Sequence, residues 1–211
     1  MSRTVLYYFA PQSPWSYLGH ARRVDLLARS RREVAVLPVD YGRIFPQSGG
    51  LPLAKRAPQR QAYRLVELKR FAEHLGLALN PQPRYFPVDA TPSARLITAV
   101  AQQDGMAAAM ALAGAVLAAC WREERDIARD ATLAELLEEC DLPAERLAES
   151  RGADTQTRYD AHTQAAMDAG VFGAPTYVID GELFWGQDRL DVVARKWGMV
   201  WAIGDRALAS A

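Results

Sequence analysis

Three short stretches of the sequence carry groups that could do chemistry. The first is Ser13-Pro14-Trp15-Ser16, which follows an apolar run and precedes a helical pattern. A helix N-terminus offers free N–H groups and the positive end of the helix dipole, so a thiolate or another anion bound there would be stabilised. Serine before proline is also an ordinary way to begin a helix. Spacing alone leaves the capping and the anion-binding interpretations open.

The second stretch is Gly173-Ala174-Pro175-Thr176, at the start of a strand-like run. If the peptide bond before Pro175 is cis, the turn presents the N–H and C=O of Ala174 to an extended peptide, which could pair with them as an added strand. A proline at the first residue of a strand is equally compatible with a purely structural role.

The third stretch runs from Trp185 to Leu190 and contains Gln187, Asp188 and Arg189. One interpretation is that Asp188 caps the last helix while Arg189 is solvated. The other is that this helix N-terminus, with Gln187 and Asp188, binds an amino-acid head group. The sequence favours neither.

The elements that position these stretches begin with a β-α-β unit. Residues 4–9 (TVLYYF) form a continuous apolar, β-branched and aromatic run, which predicts a strand buried on both faces. Helical spacing follows over 15–29, and a second strand-like run covers 34–39. This order predicts a parallel pair with a right-handed crossover. The Gly- and Pro-rich stretch 41–58 is predicted to be a long loop.

The rest of the chain predicts about five helices and then a closing β-β-α unit. Helical patterns cover 59–75, a segment opening at Thr91-Pro92, 106–121, 132–140 and 154–169. Strand-like runs at 175–179 and 182–185 flank the hairpin signal Asp180-Gly181, and a helix is predicted over 188–197.

The two ends can combine into one four-stranded mixed sheet with the helical block between them. The predicted class is α/β, a thioredoxin-like domain with a large all-helical insertion. Residues 1–55 and 170–211 would form the discontinuous thioredoxin-like domain, and residues 56–169 the inserted helical domain.

The composition argues against several classes of binding partner. Lys+Arg and Asp+Glu both number 25, and a formal net charge of zero argues against a nucleic-acid or anionic-membrane partner. The two cysteines and three histidines form no cluster with zinc-ligand spacing, so no metal is expected. The strand-like start leaves no room for a signal peptide, and no apolar stretch is long enough to span a membrane. We therefore expect a cytoplasmic protein.

S-P-W-S-Y-L-G at residues 13–19 and G-V-F-G-A-P-T-Y-V-I-D-G-E-L-F-W-G-Q-D-R-L at residues 170–190 together resemble the 2-hydroxychromene-2-carboxylate isomerase family. This family is grouped with the kappa-class glutathione transferases and is related to the bacterial oxidoreductase DsbA. The resemblance spans about residues 4–198, in the right order and spacing. It implies glutathione as the cofactor, a small-molecule substrate from aromatic-compound degradation, and a homodimer.

In the reaction of this family, the glutathione thiolate adds to a conjugated carbon of the substrate, the ring opens, a carbon–carbon bond rotates and the thiolate leaves. The resemblance implies that Ser13 is the catalytic serine, whose hydroxyl donates a hydrogen bond to the thiolate and so lowers the thiol pKa. Ser16 stands where the redox relatives carry their second cysteine, which excludes disulfide exchange by this motif.

The resemblance also implies how the rest of glutathione is held. Ala174, the residue before Pro175, would pair main chain to main chain with the cysteinyl unit. Gln187, Asp188 and Arg189 match the segment that holds the γ-glutamyl end, with Asp188 as the partner of its ammonium group.

Arg60, three residues before Tyr63, stands where the family carries a lysine that contacts the glycyl carboxylate. Arginine keeps the charge of lysine but changes the geometry of the contact. The pocket for the second substrate is expected to be lined by Trp15, Arg43, Tyr85 and Phe86, of which the last three could equally be ordinary loop packing.

The chain departs from the family at two places. Residues 48–51 lack an asparagine of the characterised isomerases, and Ala10 replaces an aspartate that many of them carry. These departures affect the expected binding of the second substrate more than that of glutathione. Two other functions therefore stay open. One is a kappa-class-like glutathione transferase, and the other is a non-catalytic thioredoxin-like protein that binds glutathione or a peptide.

Overall fold

The computed structural model describes residues 4–200, so the predicted domain ends at residues 1–3 and 201–211 lie outside the described residues. Four strands form one sheet: β1 Thr4–Phe9, β2 Glu33–Pro38, β3 Thr176–Ile179 and β4 Glu182–Trp185. Their order across the sheet is β2-β1-β3-β4. Strands β1 and β2 are parallel, whereas β3 is antiparallel to both β1 and β4. The predicted four-stranded mixed sheet is confirmed.

Nine α-helices accompany the sheet within residues 4–200. They are α1 Pro14–Ser30, α2 Tyr41–Ser48, α3 Pro58–Leu75, α4 Thr91–Gln103, α5 Met106–Trp121, α6 Asp130–Glu139, α7 Glu145–Glu149, α8 Ala153–Asp168 and α9 Leu190–Lys196. Helix α1 connects the parallel strands, and α2 to α8 stand between β2 and β3 in the chain. This is the predicted thioredoxin-like fold with a helical insertion, whereas its division into two domains stays a prediction.

The hydrophobic core occupies both faces of the sheet. On one face, Tyr7 and Phe9 of β1 belong to a large buried cluster that includes residues of α1, α4 and α5. On the other face, Tyr8 and Val178 belong to a smaller cluster with residues of α2 and α8. Strand β1 is apolar along its length because it is central in the sheet and covered on both sides.

Residues 41–58 do not form the predicted long loop. They contain α2 and a 3-10 turn at Leu53–Lys55. The Asp40 carboxylate caps α2 by accepting a hydrogen bond at 2.7 Å from the N–H two residues later, and Gly49 ends the helix with a φ of 73°. Buried Ile44 anchors α2 to the core. Capping and burial therefore outweigh the high Gly and Pro content.

The end of the chain also differs from the prediction. Gln187–Arg189 form a 3-10 turn, and α9 begins at Leu190 rather than at residue 188. Asp188 lies inside the turn, so its interpretation as the cap of the last helix is wrong. The sequence did not predict α7, because its five residues are too few to show a helical period.

None of the helices within residues 4–200 is both long and apolar enough to cross a membrane. The same part of the chain brings no three His, Cys, Asp or Glu side chains together as a potential metal site.

Candidate functional site

A cavity of about 580 Å³ opens where four parts of the chain meet, and these form its three sides. Trp15 contributes from the first turn of α1, and Ala174 contributes from the turn before β3. Residues 185–189 form a second side, and α3 with the preceding Arg56 forms a third. The structure therefore brings together segments that the sequence separates by more than a hundred residues.

Ser13 is the N-cap of α1. Its Oγ accepts a hydrogen bond from the N–H of Ser16 at 3.2 Å, and its own N–H donates to the C=O of Ala10 at 2.9 Å. The side chain is buried, with 8% of its surface exposed, and Ser13 is not among the residues that line the cavity. The capping interpretation is correct, and it leaves the hydroxyl proton available because a hydroxyl can accept and donate at once.

Ala174 and the end of β1 lie at the same edge of the sheet. Tyr8 of β1 is opposite Thr176 of β3 in an antiparallel pair, so the residues after β1 and those before β3 leave the sheet together. The bond between Ala174 and Pro175 is cis. Among the described residues, none forms a hydrogen bond with the main chain of Ala174. These main-chain groups are therefore available at the cavity wall.

Hydrogen bonds fix the backbone on both sides of Ala174. The hydroxyl of Tyr41 donates to the C=O of Gly173 at 2.7 Å. The N–H of Gly186 donates to the C=O of Pro175 at 2.9 Å. The second bond ties the turn before β3 to the 3-10 turn that forms another side of the cavity.

The 3-10 turn holds a carboxylate at the cavity. Gln187 is 2% exposed, and the guanidinium of Arg22 donates to its C=O and to its Oε1, both at 3.4 Å. Asp188 lines the cavity and forms an ion pair with Arg189 at 2.6 Å. Arg189 is therefore paired rather than simply solvated, and Gln187, Asp188 and Arg189 all line the cavity.

Three arginines at intervals of four residues line the opposite wall: Arg56, Arg60 and Arg64. Partial burial and the charge of Arg60 lower the pKa of Arg56, and burial and the charge of Arg56 lower the pKa of Arg64 to about 10. The first turn of α3 contains no acidic residue. This wall is electropositive, and an anion would relieve the repulsion within it. The spacing of Arg56 and Arg64 from Arg60 was a signal in the sequence that the site prediction missed.

Aromatic side chains supply the apolar part of the cavity. Trp15 meets Phe71 of α3 edge to face, with 6.0 Å between the ring centroids. Tyr63 and Trp185 also line the cavity. Of these four, only Trp15 was predicted as a wall of the substrate pocket, because Phe71 and Trp185 come from distant parts of the chain.

The structure does not bring the other predicted pocket residues to this cavity. Arg43 pairs with Asp160 of α8 at 2.8 Å. Phe86 packs against Trp121 in the core, with 4.9 Å between the ring centroids. Tyr85 is half-buried outside the cavity lining. The positions of these three residues agree with the alternative interpretation, which was ordinary packing.

Comparison with known proteins finds relatives along almost the whole chain. Residues 4–197 match the family model of the DSBA-like thioredoxin domain. A 2-hydroxychromene-2-carboxylate isomerase from Pseudomonas sp. (strain C18) is 32% identical over 196 residues, which cover 87% of this chain and 85% of that protein. A protein of the same name from Sphingobium xenophagum is 28% identical over 193 residues, which cover 90% of this chain and 96% of that protein.

A solved structure with the same name is similar throughout. The selenomethionine form of a 2-hydroxychromene-2-carboxylate isomerase superposes on this chain with a TM-score of 0.79 at 25% sequence identity. The superposition covers 92% of this chain and 94% of that chain.

Proposed function

The chain belongs to the family of DSBA-like thioredoxin domains, and on this premise we propose that it is a glutathione-dependent isomerase of 2-hydroxychromene-2-carboxylate or a similar aromatic-degradation intermediate. Relatives named as isomerases of this compound align over most of the chain, which supports isomerase chemistry. The observation that carries the glutathione part is the layout of the cavity. Main-chain groups of Ala174 and the carboxylate of Asp188 lie on one side, and arginines that form no ion pair within residues 4–200 lie on the other.

This layout fits the groups of glutathione. The tripeptide has an ammonium and a carboxylate at its γ-glutamyl end, a thiol in the middle and a second carboxylate at its glycyl end. Asp188 would bind the ammonium, with Gln187 and Arg189 beside it, and the main chain of Ala174 would pair with the cysteinyl unit. Arg60, whose side chain has no partner among residues 4–200, would bind the glycyl carboxylate.

When bound, glutathione supplies a thiolate that can add reversibly to a conjugated carbon of the substrate. The contribution of this chain is to hold that sulfur in its charged form. Ser13 Oγ keeps a proton that it can donate to the sulfur, and the N-terminus of α1 adds the positive end of its dipole. Trp15 and Phe71 offer flat apolar surfaces that position an aromatic ring and exclude water.

The test is to supply 2-hydroxychromene-2-carboxylate to the purified protein with and without glutathione. We expect conversion to the ring-opened trans-benzylidenepyruvate only when glutathione is present. A stable adduct between glutathione and the substrate would instead identify a transferase. Glutathione binding without turnover would identify a binding protein. The homodimer and the cytoplasmic location stay predictions.

A further inference from the structure

Arg64 is a buried cation without an anion. Only 9% of its surface is exposed, and it lines the cavity from the second turn of α3. Within residues 4–200, no carboxylate forms an ion pair with its guanidinium and no acceptor forms a hydrogen bond with it. Buried cations in folded proteins are normally paired, since an unpaired charge out of water is costly.

Two aromatic rings support the guanidinium from behind. Its central carbon lies 5.1 Å from the ring centroid of Phe86 and 5.6 Å from that of Trp121. Both rings belong to or pack on the core, so they fix the cation at the inner wall of the cavity. The indole N–H of Trp121 is itself buried without a partner in the described part of the chain. The Arg64 guanidinium and the Trp121 indole N–H are therefore donors with no acceptor among residues 4–200.

The cavity does not supply the missing anion. Its two acidic side chains are Glu67 and Asp188. Glu67 pairs with Arg70 at 2.8 Å, and Asp188 pairs with Arg189 at 2.6 Å. Burial lowers the pKa of Arg64, and the charge of a second cation, Arg56, lowers it further. At neutral pH the guanidinium stays protonated, so a carboxylate brought by a ligand into the cavity would supply the anion that the described residues do not.

We propose that Arg64 binds the carboxylate of the second substrate and thereby selects a planar aromatic carboxylate. The proposal rests on the glutathione-dependent function proposed above, in which the exposed Arg60 takes the glycyl carboxylate. A guanidinium offers a flat fork of donors that matches a carboxylate with two parallel hydrogen bonds. Trp15 and Phe71 supply flat walls in the same cavity for the ring that carries this carboxylate.

Both the second substrate and glutathione carry a carboxylate that Arg64 could bind. The test is therefore designed to separate these two ligands. The probes are trans-cinnamate, its uncharged amide trans-cinnamamide, and glutathione, each titrated calorimetrically into the full chain. For the cinnamate probe, titrations are made with and without saturating glutathione. The parent protein should bind trans-cinnamate at least tenfold more tightly than the amide.

The variants are Arg64→Met, Arg64→Lys and, as the control, Lys69→Met on the exposed side of the same helix. Arg64→Met should weaken trans-cinnamate binding about ten- to a hundredfold, abolish the preference over the amide and change glutathione affinity less than about twofold. Arg64→Lys, which keeps the charge and removes the fork, should lie between the parent and Arg64→Met. Lys69→Met should behave like the parent.

Two results would overturn the proposal. One is equal trans-cinnamate affinity in the parent and in Arg64→Met. The other is a loss of glutathione affinity in Arg64→Met while trans-cinnamate affinity is unchanged, which would assign Arg64 to the glycyl carboxylate. A selective loss of trans-cinnamate in a protein that does not isomerise the chromene substrate would support the carboxylate site while refuting the proposed function. Because a buried unpaired cation is replaced, Arg64→Met should melt no lower than the parent.

Discussion

Gly19 of α1 lies directly against Gln187 of the 3-10 turn. A Cβ on Gly19 would stand 2.9 Å from the Cβ of Gln187 and 3.4 Å from its Cα. Arg22, one turn further along α1, donates to the same residue. Helix α1 carries Ser13 at its N-cap, so this contact fixes the proposed sulfur-binding end of the site relative to the proposed γ-glutamyl end.

Gly19→Ala should therefore weaken glutathione binding by displacing Gln187 and the 3-10 turn, without removing any ligand-binding group. The added methyl pushes against the Cβ of Gln187 in the 3-10 turn, and overpacking of this kind destabilises proteins by about 1–3 kcal/mol. The control is Gly114→Ala in α5, whose Cβ would stand 2.4 Å from Nε2 of His20. Both variants should lower the melting temperature, and only Gly19→Ala should lower the affinity for glutathione several-fold in calorimetric titration. Equal affinities in the two variants would show that the contact does not hold the site together.

Ser13→Ala should raise the pKa of the bound glutathione thiol. A hydrogen bond to a charged group contributes about 1.5–3 kcal/mol, so its loss corresponds to about one to two pKa units. The ultraviolet absorbance of the thiolate, followed through a pH titration of the complex, measures this shift. Ser16→Ala is the matched control, since Ser16 lies in the same first turn of α1 and its fully buried side chain interacts with Tyr7. An unchanged titration in Ser13→Ala would remove Ser13 from the proposed mechanism.

Asp188→Asn should weaken glutathione binding about tenfold or more, because the ammonium of the γ-glutamyl end loses its charged partner. N-acetylglutathione, which lacks this ammonium, provides the internal comparison. The parent should prefer glutathione over the acetylated form, and Asp188→Asn should bind the two with similar affinity. Asp191→Asn, in the helix that follows and outside the cavity lining, is the control. A preference retained by Asp188→Asn would place the ammonium elsewhere.

Arg60→Ala should remove the selectivity for the glycyl carboxylate. The probe is γ-glutamylcysteine, which lacks the glycine, and the parent should bind it about tenfold or more weakly than glutathione. Arg60→Ala should bind both with similar, weak affinity. Because Arg60 is exposed in the first turn of α3, the variant should keep the melting temperature of the parent. If glutathione binds equally well to Arg60→Ala and to the parent, Arg60 is only a solvated arginine.

Local patterns were enough to predict the sheet and much of the site. The continuous apolar run of β1 and the hairpin signal at Asp180-Gly181 are short-range, and both elements occur as predicted. Ser13 and the 187–189 segment were singled out in the same way, because each lies within one contiguous motif; the 187–189 segment lines the cavity, and the role of Ser13 stays a prediction. Helix α2 was missed because its stability comes from the Asp40 cap and from burial rather than from its composition.

The walls of the cavity could not be predicted by such patterns. Arg43 has a partner, Asp160, that is 117 residues away, and no local signal distinguishes this ion pair from a free cation in a pocket. Phe86 is directed into the core by Trp121, which is 35 residues further along the chain. Phe71 and Arg64 line the cavity because α3 packs beside α1, where Phe71 meets Trp15. Contacts between residues far apart in the sequence, rather than local propensity, determine where these side chains lie.

His20 should make the stability of the protein fall in mild acid. Its ring lies between α1 and α5, and its Nδ1 accepts a hydrogen bond from the guanidinium of Arg23. Burial and the charge of Arg23 lower the pKa of His20 to about 3, compared with about 6.5 in the unfolded chain. Between these values the unfolded state binds a proton that the folded state does not. The free energy of unfolding should therefore decrease by up to about 1.4 kcal/mol for each pH unit as the pH falls from about 6.5.

Urea unfolding at several pH values between neutral and mildly acidic conditions measures this effect. His20→Asn places an amide oxygen where Nδ1 accepts the bond from Arg23 and removes the titrating group, so its stability should depend less on pH than that of the parent. His74→Asn, at an exposed position on α3, is the matched control and should keep the slope of the parent. His162, whose pKa is also lowered by burial, contributes in the same direction and is present in all three proteins. Because the acidic groups are also common to them, the difference in slope isolates His20, and parallel curves for His20→Asn and the parent would contradict a neutral, buried imidazole.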